Sequence, residues 1–133
     1  MSLLLGLDLT EVPRIAAALE RFGERFLARV FAPGEIHRGR RQPHAFAEHV
    51  AGRFAAKEAA MKALGTGWRG LAFREIAVGR DARGKPRLEL SGRAFARAQA
   101  LGVYEMEVSI THTGDLAAAV VALTTRDREV PLR

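Results

Sequence analysis

Cysteine is absent from all 133 residues, which removes disulfides, thiolate nucleophiles and cysteine-ligated zinc together and makes a reducing cytoplasm the expected setting. No apolar run approaches the ~20 residues of a membrane span. The opening MSLLLGLDL has no basic flank before it and an Asp at its end, so it reads as a strand and not as a signal peptide. Internal repeats, low-complexity tracts and Ser/Pro-rich linkers are also missing. With one Trp and one Tyr, the chain lacks an aromatic series on which nucleic-acid bases would stack. What is present is an ordinary soluble composition, 48% hydrophobic and 27% charged, in a length that fits one domain. Fifteen acids against 21 bases leave a charge of +6, and 18 of the bases are Arg, whose planar fork suits phosphate and carboxylate. The expected partners are anionic, though charge alone does not choose between nucleic acid, a phosphorylated small molecule and an acidic protein surface.

Alternation over residues 3–9 predicts a strand with Leu3, Leu5, Leu7 and Leu9 on one face and Leu4, Gly6 and Asp8 on the other. Thr10 and Pro13 mark a helix start, with a stripe of Val12, Ile15, Ala16 and Leu19 running to about residue 22. A second helix is expected over 24–31, a turn near 33–40, and one long helix from Ala45 to Leu64 closed by Gly65 and Gly67. Strands near 75–79 and 87–90 flank a turn at 81–86, and Ser91 is placed to cap a helix over 92–101. Two long strands, 104–112 and 116–125, meet at Thr113-Gly114-Asp115. The last of them, LAAAVVAL, is apolar on both faces and predicts a central position. This order predicts an α+β fold, a largely antiparallel sheet packed against one long helix and shorter helices, with a single domain over 1–125 and a charged tail over 126–133.

In the long helix Phe46, Val50 and Phe54 recur at four-residue spacing, and Met61 and Gly65 continue the seam. Glu58 falls on it. A carboxylate on a core-facing stripe needs a cation, a metal or a ligand, and Lys62, four residues on, would serve as an edge ion pair. Asp8 poses the same question on the first strand, where a turn or N-cap is the plainer reading. Two carboxylates from separate elements, with waters and phosphate oxygens, also make what Mg²⁺ accepts. Gly65 and Gly67 read either as a helix C-cap or as a place where a ligand nears the backbone. His37, His44 and His49 lack metal-ligand spacing and read as solvated positions. His112 follows Tyr104, Met106, Val108 and Ile110 in alternation, as a core histidine or a ligand contact. Arg14, Arg21 and Arg25 lie over the first helices, Arg14 and Arg21 on one side, as a solvated face or a seat for an acidic partner.

The segments GLDLTEVPRI (6–15), RFAAKEAAMKALGTG (53–67), GKPRLEL (84–90) and SITHTGDLAAAVV (109–121) together resemble the holo-acyl-carrier-protein synthases, the short 4'-phosphopantetheinyl transferases, in order and separation from end to end. The resemblance implies transfer of 4'-phosphopantetheine from coenzyme A to a serine of an apo acyl carrier protein, with release of 3',5'-ADP. It implies that Asp8 and Glu58 hold Mg²⁺ against the pyrophosphate and that Lys62 contacts phosphate. Gly65 and Gly67 would border the pantetheine and nucleotide, and Arg53, Pro86, His112 and Thr113 would line the nucleotide. Arg14, with Arg21 and Arg25, would meet the carrier's acidic helix. Glu58, directly or through a water, becomes the candidate base. A homotrimer with sites between protomers is implied as well, Arg53 serving a neighbour. Leu116, where the family often has an aromatic residue, and Pro13 depart from the pattern. The rival readings are a basic nucleic-acid-binding module, for which no helix-turn-helix or RNA-binding motif is found, and a magnesium-dependent phosphohydrolase.

Overall fold

The computed structural model describes residues 1–36, 39–66 and 70–126. Its elements are β1 (Ser2–Glu11), α1 (Val12–Phe22), α2 (Glu24–Val30), α3 (Pro43–Leu64), β2 (Ile76–Arg80), β3 (Pro86–Leu90), α4 (Gly92–Leu101), β4 (Val103–Thr113) and β5 (Leu116–Thr125). A 3-10 turn, Phe73–Glu75, leads into β2. Each expected helix and strand is present, in an α+β arrangement in which every strand pairing is antiparallel. The pairings form two separate sheets, β1-β5-β4 and β2-β3. Apolar on both faces, β5 takes the centre of the larger sheet, as its composition predicts. The charged residues 127–133 of the expected tail, and His37, lie outside the described residues.

The long helix α3 packs across the three-stranded sheet and divides the apolar interior. Its C-terminal half (Ala55, Ala59, Ala63, Leu64) meets Ile76, Val78, Leu88, Val108, Val121 and Leu123, while its N-terminal half (Phe46, Val50, Ala51) meets Val12, Ile15, Leu27 and Phe31 of the first two helices and the loop behind them. Small residues set the approach of β1 to the helix. A Cβ on Gly6 would lie 1.7 Å from the carbonyl oxygen of Ala59, so only glycine lets the strand sit this close. The strand's inward positions are therefore Leu4, half-buried against the core, and Gly6, Asp8 and Thr10, all buried. Its outward positions are Leu3, Leu5, Leu7 and Leu9, between 59% and 64% exposed. Leu116 and Val120 of β5 are exposed too, so the sheet's outer face carries an apolar row rather than the polar side chains usual at a solvated face.

Two expected caps are replaced. Thr10 stays in β1 and gives its hydroxyl to Asp8 at 2.9 Å, leaving α1 to start at Val12, whose amide donates to the carbonyl of Asp115. Ser91 makes no side-chain cap for α4. The carboxylate of Glu75 accepts from the Arg93 amide in its place and also pairs with the Arg93 guanidinium. At the far end of α3 the expected glycine cap is present: Gly65 is left-handed, with φ of 77°, and its amide closes onto Met61 and Lys62.

Candidate functional site

Three of the singled-out side chains converge beside β1. Asp8 points inward toward α3, 7% exposed, where Lys62 Nζ lies 3.2 Å from its Oδ1 and also donates to the Leu7 carbonyl at 3.0 Å. Asp8 is thus neither a turn residue nor an N-cap. The ion pair of Lys62 is with this strand acid, not with Glu58 four residues away on its own helix. Glu58 is half-buried one turn before Lys62, within hydrogen-bonding reach of the Asp8 carboxyl. Burial first, then the charge and hydrogen bond of Asp8, push the Glu58 carboxyl above its ordinary range, against the pull of Lys62 and Arg14. Two carboxylates held this close repel unless a proton or a cation lies between them. Among the described residues no third His, Cys, Asp or Glu joins them. The pair therefore suits a hard, small divalent ion that takes its remaining ligands from water and phosphate.

A second cluster forms around the other edge of the sheet, where β4 runs beside β3. A cavity of about 320 Å³ there is lined by residues that include Glu48, His49, Arg53, Arg80, Pro86 and His112. It brings together Arg53, Pro86 and His112 of the expected nucleotide contacts and adds Arg80 and Glu48, which the sequence reading did not single out. Arg53 is buried, 3.3 Å from His49 Nδ1, and burial and the Arg80 guanidinium both act against its charge. The Glu35 carboxylate acts in favour of that charge, and a bound anion would add to it. His112 is about half exposed and lies 2.9 Å from Glu48, so it is not a core histidine. Thr113 is exposed at the end of β4 and is not among the cavity's lining residues. Gly65 is exposed next to the Lys62 end of α3, whereas Gly67 lies outside the described residues.

The third cluster is on α1 and α2. Arg14 is exposed, near enough to act on the charge of Glu58. Arg21 and Arg25 both sit over the ring of Phe22, at 5.2 Å and 5.7 Å from its centroid. Phe22, Arg25, Phe26 and Arg29 line a groove of about 290 Å³. The basic residues were legible as a stripe. The apolar floor between them was not, because Phe22 and Phe26 fit a buried helix face equally well.

The metal-type acids meet where α3 faces β1, at one edge of the three-stranded sheet, and the cavity gathers around β4 at the other, with β5 between. Beneath both, Lys57 is fully buried next to Glu58. It donates to Glu35 Oε1 at 2.8 Å and to the carbonyls of Phe73 and Ile76, with the Phe31 ring 4.9 Å away. Glu35 completes the network by accepting from the amides of Ala32 and Val78. This pair was not legible from the residues alone, since its members are 22 positions apart.

A family model described as the 4'-phosphopantetheinyl transferase superfamily matches residues 4–121. A holo-[acyl-carrier-protein] synthase of Solidesulfovibrio magneticus is 53% identical over 90% of this chain and 95% of its own. Among solved structures, the holo-[acyl-carrier-protein] synthase of Neisseria meningitidis superposes with a TM-score of 0.78 at 34% identity, covering 92% of this chain and 98% of that one. The Helicobacter pylori enzyme in complex with coenzyme A gives 0.76 at 29% identity, covering 90% and 99%. These likenesses span the strand carrying Asp8, the helix carrying Glu58 and Lys62, and the closing hairpin alike. The chain belongs to the 4'-phosphopantetheinyl transferase superfamily and, within it, to the holo-acyl-carrier-protein synthases.

Proposed function

We propose that this chain transfers 4'-phosphopantetheine from coenzyme A to a serine of an apo acyl carrier protein, releasing 3',5'-ADP, with Mg²⁺ held by Asp8 and Glu58. The observation that carries the reading is the meeting of Asp8 of β1 with Glu58 and Lys62 of α3, Lys62 lying 54 positions from Asp8 in the chain, at one half-buried point. A divalent ion there would neutralise pyrophosphate charge and polarise the phosphoryl oxygens. Lys62, more than half exposed, is free to move from Asp8 to a phosphate of the leaving group. Glu58, directly or through a water, is the candidate base for the serine proton, and a cation held between it and Asp8 would offset the burial and repulsion that raise its carboxyl in the free chain. Arg53, Arg80 and His112 would take the nucleotide and its phosphates in the cavity. The groove of Phe22, Arg25, Phe26 and Arg29, flanked by Arg14 and Arg21, would seat the carrier's acidic helix by charge and its apolar side chains by burial.

The two clusters at opposite sheet edges, and the exposed leucine row of β1, support an assembly of like chains, a homotrimer, in which one coenzyme A bridges the acids of one protomer and the cavity of the next. No helix among the described residues is long and apolar enough to cross a membrane. Incubation with coenzyme A, Mg²⁺ and an apo carrier tests the proposal. Mass spectrometry should find one phosphopantetheine on the acceptor serine, lost with Asp8→Ala or Glu58→Ala. Release of 3',5'-ADP in the absence of carrier would instead indicate a phosphohydrolase, and salt-sensitive binding of random oligonucleotides without turnover a nucleic-acid module.

A further inference from the structure

Glu48 supplies the one carboxylate among the described residues lining the cavity, beside the basic side chains of His49, Arg53, Arg80 and His112. In a seat for polyphosphate an acid is expected to repel the ligand. Its placement explains its presence. Glu48 Oε2 lies 2.9 Å from His112 Nδ1, and Oε1 lies 3.7 Å from His44 Nε2, so the carboxylate stands between two imidazoles. The Glu48 side chain is 20% exposed and fixed to a rigid helix, whereas that of His112 is 52% exposed near the end of β4 and has little else to hold its ring. A contact at Nδ1 leaves Nε2, on the far side of the ring, for a ligand.

We infer that Glu48 is a positioning residue for coenzyme A, holding the His112 ring with its outer nitrogen turned toward the nucleotide phosphates, so that an acid in the cavity strengthens the binding of an anion. The inference rests on the reading of this cavity as the nucleotide seat. It predicts a sign opposite to simple charge counting, in which removing a negative group tightens a polyanion.

The test is a double-mutant cycle on coenzyme A affinity, measured by calorimetry with the full chain in the absence of carrier, for Glu48→Ala, His112→Ala and the two combined. Each single variant should bind about tenfold more weakly, and the combined variant no more weakly than His112→Ala alone, since Glu48 acts only through the ring. Glu48→Gln, which keeps an acceptor oxygen and takes the place of the alanine variant should that one misfold, should recover part of the loss. Unchanged or tighter binding in Glu48→Ala, or an equal loss on the His112→Ala background, overturns the inference. Unchanged binding in His112→Ala instead overturns the nucleotide reading of the cavity, and the inference with it.

Discussion

Lys57 Nζ lies 2.8 Å from Glu35 Oε1, and with the lysine fully buried and the glutamate side chain 2% exposed the pair ties three parts of the molecule together. Lys57 stands on α3 next to Glu58. Glu35 follows α2 of the basic groove and accepts from Val78 of β2, two residues before Arg80 of the cavity. Every donor and acceptor is met, which is the condition under which a buried ion pair is tolerated. Lys57→Met or Glu35→Ala alone leaves an unpaired buried charge and should cost about 3–5 kcal/mol in denaturant unfolding. Lys57→Met combined with Glu35→Leu should regain only part of that loss, because the amides of Ala32 and Val78 and the carbonyls of Phe73 and Ile76 then lack their partners.

Glu58 makes the opposite prediction for stability. A carboxyl raised in the folded state binds its proton more tightly folded than unfolded, so its contribution favours folding at low pH and is lost as pH rises through the raised value. At neutral pH, without metal, the charged group faces Asp8 in a poorly solvated place. Glu58→Gln should therefore raise the melting temperature of the metal-free protein by a few degrees, about 1 kcal/mol or less for a half-buried group. The gain should vanish below the ordinary glutamate value of 4.5, while transfer activity is lost at every pH. Thermal melts from neutral to acid pH check this, and a variant less stable than the parent at neutral pH would contradict it.

Much of this site was legible before the structure, and the rest was hidden for identifiable reasons. Glu58 disclosed itself by standing on an apolar seam, and Asp8 by sharing a strand face with Leu4, because a carboxylate breaks hydrophobic periodicity conspicuously. That the two meet was not readable, since it depends on Gly6 letting β1 approach the Ala59 turn of α3. Thr10 and Ser91 had the right side chains for N-caps, yet tertiary contacts from Asp115 and Glu75 took over their work. The split into two sheets leaves no local mark, because strand patterns record faces and not neighbours. Glu48, Lys57 and Glu35 looked like ordinary charges, their partners being fixed only by folding.

The leucine row of β1 should act at an interface and not in the core. Leu5→Glu with Leu7→Glu places two charges on side chains about 60% exposed in the single chain, so each protomer should still fold. The double variant should elute as a monomer in size-exclusion chromatography and lose transfer activity. Mixing inactive Asp8→Ala and Arg53→Ala chains on the unaltered interface should restore part of the activity, because one intact composite site can form.

Arg14 offers a separation of the two substrates. It is exposed on α1, on the β1 side of the molecule, while the cavity lies at the β4 edge. Arg14→Glu should raise KM for the apo carrier by about tenfold or more at low salt, with a smaller factor at high salt, and raise KM for coenzyme A far less, since its charge reaches the diphosphate only from the neighbourhood of Glu58. Steady-state kinetics with each substrate varied in turn measure both constants. Equal losses for the two would contradict the assignment of this helix to the carrier.

If Asp8 and Glu58 hold one divalent ion together with the diphosphate of coenzyme A, as proposed, ion and nucleotide binding must be linked, and calorimetric titration of coenzyme A with and without Mg²⁺ measures that linkage directly. The unaltered chain should bind coenzyme A more tightly when Mg²⁺ is present, and Asp8→Ala and Glu58→Ala should each abolish the difference while still binding the nucleotide. Full Mg²⁺ enhancement in both variants would contradict the account.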